Sequence, residues 1–134
     1  MREILFRGKR IDNGELIEGF YAKSGDRTFI LIDNDFAVGY VIMKEVYPET
    51  VGEYTGLTDK NGKKIFEGDI IKDKELPGIY MIGYKEDSMK YAFLYYHKEL
   101  KNIYCGGFVS KEDGKSIEVI GNIHDNPELL GVKE

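Results

Sequence analysis

Tryptophan is missing from the 134-residue chain, cysteine occurs once, histidine twice and proline three times. A lone thiol, Cys105, excludes an intramolecular disulfide and any CxxC pair that would hold zinc or shuttle electrons, and it fits a reducing compartment. Two histidines, His97 and His124, leave no spacing that resembles a zinc site. No GxSxG elbow, Walker loop or GxGxxG fingerprint is present, which removes the commonest enzyme classes that a sequence displays, and no cofactor is expected. Long apolar runs are absent as well. No window approaches the roughly 20 apolar residues of a membrane helix, and Ile4, Leu5 and Phe6 are too few for a signal-peptide core, so a cytoplasmic protein without a membrane partner is expected. Positive charge is in deficit: the net charge of −5 opposes non-specific attraction to phosphate backbones or anionic lipid. The densest cationic groups, Arg7, Lys9 and Arg10 and then Lys60, Lys63 and Lys64, read as solvated turn flanks.

What is present is enough apolar residue for one core, 42% of the chain, in a length typical of a single domain. Short apolar runs separated by Gly, Asn and Asp give a mostly β reading. Ile4 to Lys9 and Leu16 to Lys23 bracket Asp12-Asn13-Gly14, a hairpin signal. Thr28 to Ile32 and Phe36 to Ile42 flank Asp33-Asn34-Asp35, a second one. Glycines then punctuate Thr50 to Ile71: Gly62 after Asn61 suits a left-handed turn, and Gly68-Asp69 opens Ile70-Ile71 with a carboxylate that can accept local backbone hydrogen bonds. Two further hairpins are expected, from Ile79 to Tyr84 with Met89 to His97, and from Ile103 to Val109 with Ile117 to Ile123. The spacing predicts about eight to ten strands in a barrel or sandwich. One short helical turn closes the chain, with Asn126 as its cap, Pro127 at its first position and Gly131 at its end.

Three stretches, FRGKRIDNGELIEGFY from Phe6, GEYTGLTDKNGKKIFEGDII from Gly52 and IEVIGNIHDNPELL from Ile117, together resemble the YopX family of bacteriophage and prophage proteins. The resemblance implies a phage or prophage origin and a mostly β fold with a small SH3-like barrel. On that reading residues 1–47 form N-terminal hairpins packed on a barrel-like part, 48–134, within a single domain. It carries over no catalytic residue. The matching positions, Thr55, Gly56, Asp59, Gly62, Glu67, Gly68, Asp69, Gly121, Asn122, Asn126 and Pro127, are structural.

Each candidate for chemistry has a plainer reading beside it. His124 and Asp125 offer an acid–base or metal pair, but neighbours on an extended chain point to opposite faces and Asp125 suits a turn acceptor. Asp59-x-Asn61-Gly62 and Asp33-Asn34-Asp35 hint at calcium without supplying the full loop. Glu67 with Asp69 would be a magnesium pair only with a third ligand. Cys105 lacks a neighbouring histidine or cation to activate it. The most informative run is Met89 to His97. Alternation puts Met89, Tyr91, Phe93 and Tyr95 on one face and Ala92, Leu94 and Tyr96 on the other, so both faces are apolar. Tyr91, Phe93, Tyr95 and Tyr96 are therefore a candidate interface. The expected function is a non-enzymatic binding or assembly module that forms a homo-oligomer or meets a phage or host protein. A nucleic-acid-binding small barrel is the alternative, with a metal-dependent hydrolase behind it.

Overall fold

A computed structural model describes residues 3–35 and 39–131. The chain is mostly β and divides into two compact units, Met1–Tyr54 and Thr55–Glu134. All strand pairings described below are antiparallel.

The first unit contains β1 (Phe6–Lys9), β2 (Leu16–Ser24), β3 (Arg27–Asp35), β4 (Tyr40–Glu45), a 3-10 turn at Pro48–Thr50 and the start of β5 (Gly52–Thr58), in the order β4-β3-β2-β1-β5. The β1–β2 hairpin forms where Asp12-Asn13-Gly14 predicts it. Gly14 takes φ +74°, and the Asn13 side chain accepts from Glu15 N–H at 3.0 Å. β2 and β3 turn tightly between Ser24 and Arg27, with Gly25 at φ +61°, a reversal that the reading of the sequence passes over.

The third reversal departs from expectation. Asp33, Asn34 and Asp35 belong to β3 and pair with Ile42, Val41 and Tyr40 after a bulge that follows Leu31. Phe36 to Val38 lie outside the described residues, and the left-handed position is Gly39 at φ +77°. Turn preference is local and small, whereas the ladder pairs every residue it includes, so the ladder sets the boundary. Ile30 and Val46 are fully buried in this unit, with Phe29 and Tyr54 nearly so. Gly19 has no room for a side chain, since a Cβ there would lie 2.1 Å from the Leu31 carbonyl oxygen.

The second unit holds the rest of β5, β6 (Lys64–Phe66), β7 (Asp69–Asp73), β8 (Ile79–Lys85), β9 (Lys90–His97), β10 (Asn102–Phe108), a 3-10 turn at Asp113–Lys115, β11 (Ile117–Asn122) and the helix α1 (Pro127–Leu130). Its main sheet runs β10-β9-β8-β7-β11. The β8–β9 hairpin is as expected. The anticipated hairpin of β10 with β11 is not: β10 pairs with β9, Tyr104 opposite Tyr95, and β11 pairs with β7, Val119 opposite Ile71. These two strands are consecutive in the chain yet occupy opposite edges of the sheet. Among the described pairings no closed barrel forms, because neither edge strand finds the other.

One face of this sheet buries Ile71, Ile82, Phe93 and Ile117 together with Ile65 of β6, ringed by Leu57, Tyr80, Tyr91, Val109 and Val119. Alternation puts Ile70 and Ala92 on the other face, where both are also fully buried, and α1 packs against β8 with Leu130 buried. The run whose two faces both read as apolar is thus buried on both sides at its centre, at Ala92 and Phe93. Toward its end Leu94, Tyr95 and Tyr96 are half-buried.

Candidate functional site

The residues matched to the family pattern lie in the second unit, where most of their side chains or φ angles serve turns. Thr55 donates through Oγ1 to the Ile65 carbonyl at 2.8 Å and joins β5 to β6, and Gly56 sits at φ +89° inside β5. Asp59, buried, accepts three backbone N–H groups: Asn61 and Lys63 on Oδ1 at 2.9 Å each, and Val119 on Oδ2 at 3.0 Å. It thus closes the turn that ends with Gly62 at φ +82° and fastens that turn to β11. Burial pushes its carboxyl upward, but the donors from Val119, Lys63 and Asn61 outweigh burial and hold the group below its ordinary value. This carboxylate is occupied by amides as a turn acceptor, which explains Asp59-x-Asn61-Gly62 without calcium.

Asp69 is 1% exposed and accepts Phe66 N–H on Oδ2 at 2.8 Å, while Gly68 turns at φ +90° and its carbonyl receives Ile123 N–H at 2.8 Å. His124 lies over this glycine: a Cβ on Gly68 would be 3.5 Å from Nε2. Glu67 is half-buried beside them. Asn122, buried, is the hub of the last turn. Its Oδ1 accepts His124 and Asp125 N–H at 3.0 Å each, and its Nδ2 donates to Asp125 Oδ2 at 3.1 Å. Asn126 does not cap α1 as expected. Its Oδ1 reaches back to accept Asn122 N–H at 3.3 Å and makes no hydrogen bond to the helix's first N–H groups. Pro127 and Gly131, the latter at φ +94°, stand at the two ends of the helix as the sequence indicates. Among the described residues no three His, Cys, Asp or Glu side chains gather as a metal site.

The basic start of the chain is not a solvated patch. Arg7 is buried, and Arg10 holds Asp12 with two hydrogen bonds, Nε to Oδ1 at 2.8 Å and Nη2 to Oδ2 at 2.6 Å, which lowers the carboxyl of Asp12. Lys60 meets Glu118 at 3.6 Å.

The aromatic residues converge instead. Tyr80 sits edge-on to Phe93 and Tyr95, with ring centroids at 6.0 and 6.4 Å, Tyr95 leans on Tyr104 at 6.1 Å, and Tyr104 meets His97 at 6.0 Å. His97 is further fixed by Leu100 N–H, which donates to Nδ1 at 3.2 Å. An open groove of about 880 Å³ runs beside these rings, lined by Tyr80, Tyr95, Tyr96, Lys98, Glu128 and Leu130 among others. Tyr91 faces the core and meets Tyr84 at 5.2 Å, so of the four candidate interface residues only Tyr95 and Tyr96 line the groove. Cys105, exposed, also lines the groove, its thiol 3.6 Å from the Gly107 carbonyl. Sequence reasoning missed Tyr80, Lys98 and Glu128 because they come from three separate segments that only the sheet brings together.

Fold and site define an antiparallel β protein whose described buried carboxylates close turns and whose tyrosines gather at one end of one sheet. The chain belongs to the YopX family: the family model described as YopX protein matches residues 6–131. Among solved structures it is similar to protein EF1440 from Enterococcus faecalis, at 22% identity and a TM-score of 0.50, over 97% of this chain and 99% of that one. That likeness speaks to the fold alone. No curated protein matches. Among the described residues no helix is long and apolar enough to cross a membrane.

Proposed function

We propose that this protein is a binding or assembly module that self-associates in a phage or prophage setting, rather than an enzyme. The observation that carries the reading is the division of labour in the second unit. Asp59 and Asp69 close turns, while Tyr80, Tyr95 and Tyr96 line an open groove at the sheet's β9–β10 end and Tyr104 leans on Tyr95 beside it. Tyrosine offers large contact area at small entropic cost and is enriched at protein interfaces. The family resemblance supports the phage setting. Light scattering on a size-exclusion column tests self-association: the mass should rise above that of one chain as loading reaches tens of micromolar, roughly the range in which a small interface persists. A mass that stays at one chain would overturn it.

A second reading has its own support. Tyr96, Lys98 and Lys101 line one hollow of about 420 Å³, a stacking ring beside two cations, which suits single-stranded nucleic acid. A salt titration with single-stranded and duplex oligonucleotides should show weak, steeply salt-dependent binding that prefers the single strand. No binding at low salt would remove this reading, against which the net charge of −5 already weighs.

A further inference from the structure

The two edges of the second unit's main sheet are unlike each other. On β11 the edge residue Glu118 is bridged to Lys60 at 3.6 Å and Lys72 at 3.4 Å, the charged guard that natural sheets use against stray pairing. The other edge, β10, has none: Asn102–Phe108 contains no charged residue and no proline. Its side chains are nevertheless open to solvent, with Ile103 and Tyr104 each 38% exposed and Phe108 46%.

The backbone direction follows from the ladder. Val109 N–H donates to the Tyr91 carbonyl at 2.9 Å, and alternation back through the pairing places Gly107, Tyr104 and Asn102 in the bonded positions facing β9. The N–H and C=O groups of Ile103 and Cys105 therefore point away from the sheet. Among the described residues Ile103 N–H is held by the neighbouring Asn102 side chain, at 2.8 Å, a local bond that a strand carbonyl can replace. Beyond Cys105 a bulge interrupts the alternation.

We infer that β10 is a self-pairing edge, joining β10 of a second copy of this chain antiparallel about a two-fold axis near Tyr104. This deepens the proposed self-association and rests on it. The axis position follows from the outward groups: only with Tyr104 facing its counterpart do Ile103 of one copy and Cys105 of the other form bonded pairs on both sides of the axis. A second copy fits for reasons of charge. A neutral strand sets no like charges opposite each other when paired with itself. The segment before β10 carries Lys98, Glu99 and Lys101, an excess of one positive charge, and the segment after it carries Lys111, Glu112, Asp113 and Lys115, which balance, so the two-fold sets no segments of like net charge against each other. An antiparallel two-fold brings the first segment of each copy toward the second segment of the other. The surface involved is small, so the complex is weak and calls for high concentration.

Two measurements on the full chain test this. Ile103→Lys, which puts a charge on the edge, should weaken self-association by about tenfold or more in sedimentation while the circular dichroism stays that of the wild type. Should that variant unfold, cross-linking decides. With Cys105→Ser as background, Tyr104→Cys should form a disulfide-linked dimer under mild oxidation, because cross-strand neighbours at such a position stand about 4.5 Å apart, within disulfide reach. Met89→Cys in the same background, on a turn away from β10 and 77% exposed, should not. A wild type that remains one chain sinks both the inference and the reading beneath it. A wild type that associates, with Ile103→Lys folded and associating equally well or with Tyr104→Cys no better cross-linked than Met89→Cys, sinks the β10 edge alone.

Discussion

Asp59 accepts three backbone amide donors, which makes it the residue whose loss is easiest to foresee. Asp59→Ala leaves Asn61, Lys63 and Val119 N–H without their acceptor, and the β5–β6 turn then keeps only backbone and surface ties to β11, such as Lys60 N–H to the Ile117 carbonyl at 2.9 Å. Two of the three donors sit on exposed residues that water can reach, so the cost should be about 3 kcal/mol rather than the full sum of three buried losses. Chemical denaturation at neutral pH reads this as a lower midpoint with an unchanged slope. The pH dependence has a definite sign. Because folding lowers the carboxyl below its unfolded value of about 3.9, its contribution is complete above that value and is lost as pH falls through the lower folded one. The stability gap between wild type and Asp59→Asn should therefore narrow on acidification below about pH 4, and a gap independent of pH down to acid unfolding would refute the assignment.

At the scale of the element, the seat of α1 is set by an absence of volume on β11. A Cβ on Gly121 would stand 2.6 Å from Asn126 Oδ1 and 3.0 Å from Leu129 Cδ1, so Gly121→Ala must push the turn and the helix outward. Overpacking of this kind costs roughly 1–3 kcal/mol, and hydrogen exchange should show the loss concentrated in the amides from Ile123 to Gly131. Uniform protection in both proteins would show that the helix tolerates the methyl group. Elements were legible in the sequence to the extent that local chemistry fixes them. Gly14, Gly62, Gly68 and Gly131 mark reversals because only glycine adopts their φ at no cost, and each is found at a positive φ. Asp33-Asn34-Asp35 misled because the same residues that favour turns are accepted in a strand once neighbours bond to it. The pairing of β10 and β11 with β9 and β7 was not legible, since partner choice across a sheet depends on packing that no turn between them encodes. Asn126 was read as a helix cap from its position alone, and the competing acceptor site at Asn122 N–H exists only once β11 is in place.

For the whole molecule, self-association and stability are one measurement if the β10 edge pairs as inferred. Binding that occurs in the native state and not in the unfolded one adds free energy that grows with the logarithm of concentration, by about 1.4 kcal/mol per decade of partner well above the dissociation constant. The thermal midpoint of the wild type should accordingly climb by a few degrees between about 10 and 500 μM, since a kcal/mol moves a chain of this size by roughly 2–8 °C. Ile103→Lys should show a flat midpoint over the same range. The comparison separates an edge effect from general crowding, which is weak and would act on both proteins alike. It also separates β10 from the groove beside it. A ligand filling the space between Tyr80, Tyr95 and Tyr96 would raise both midpoints together, whereas only strand pairing ties the rise to the charge placed at residue 103. A wild-type midpoint that does not move with concentration, in a sample that sedimentation shows to be associated, would mean that the associating surface forms in the unfolded chain as readily as in the native one, which an ordered sheet edge cannot do.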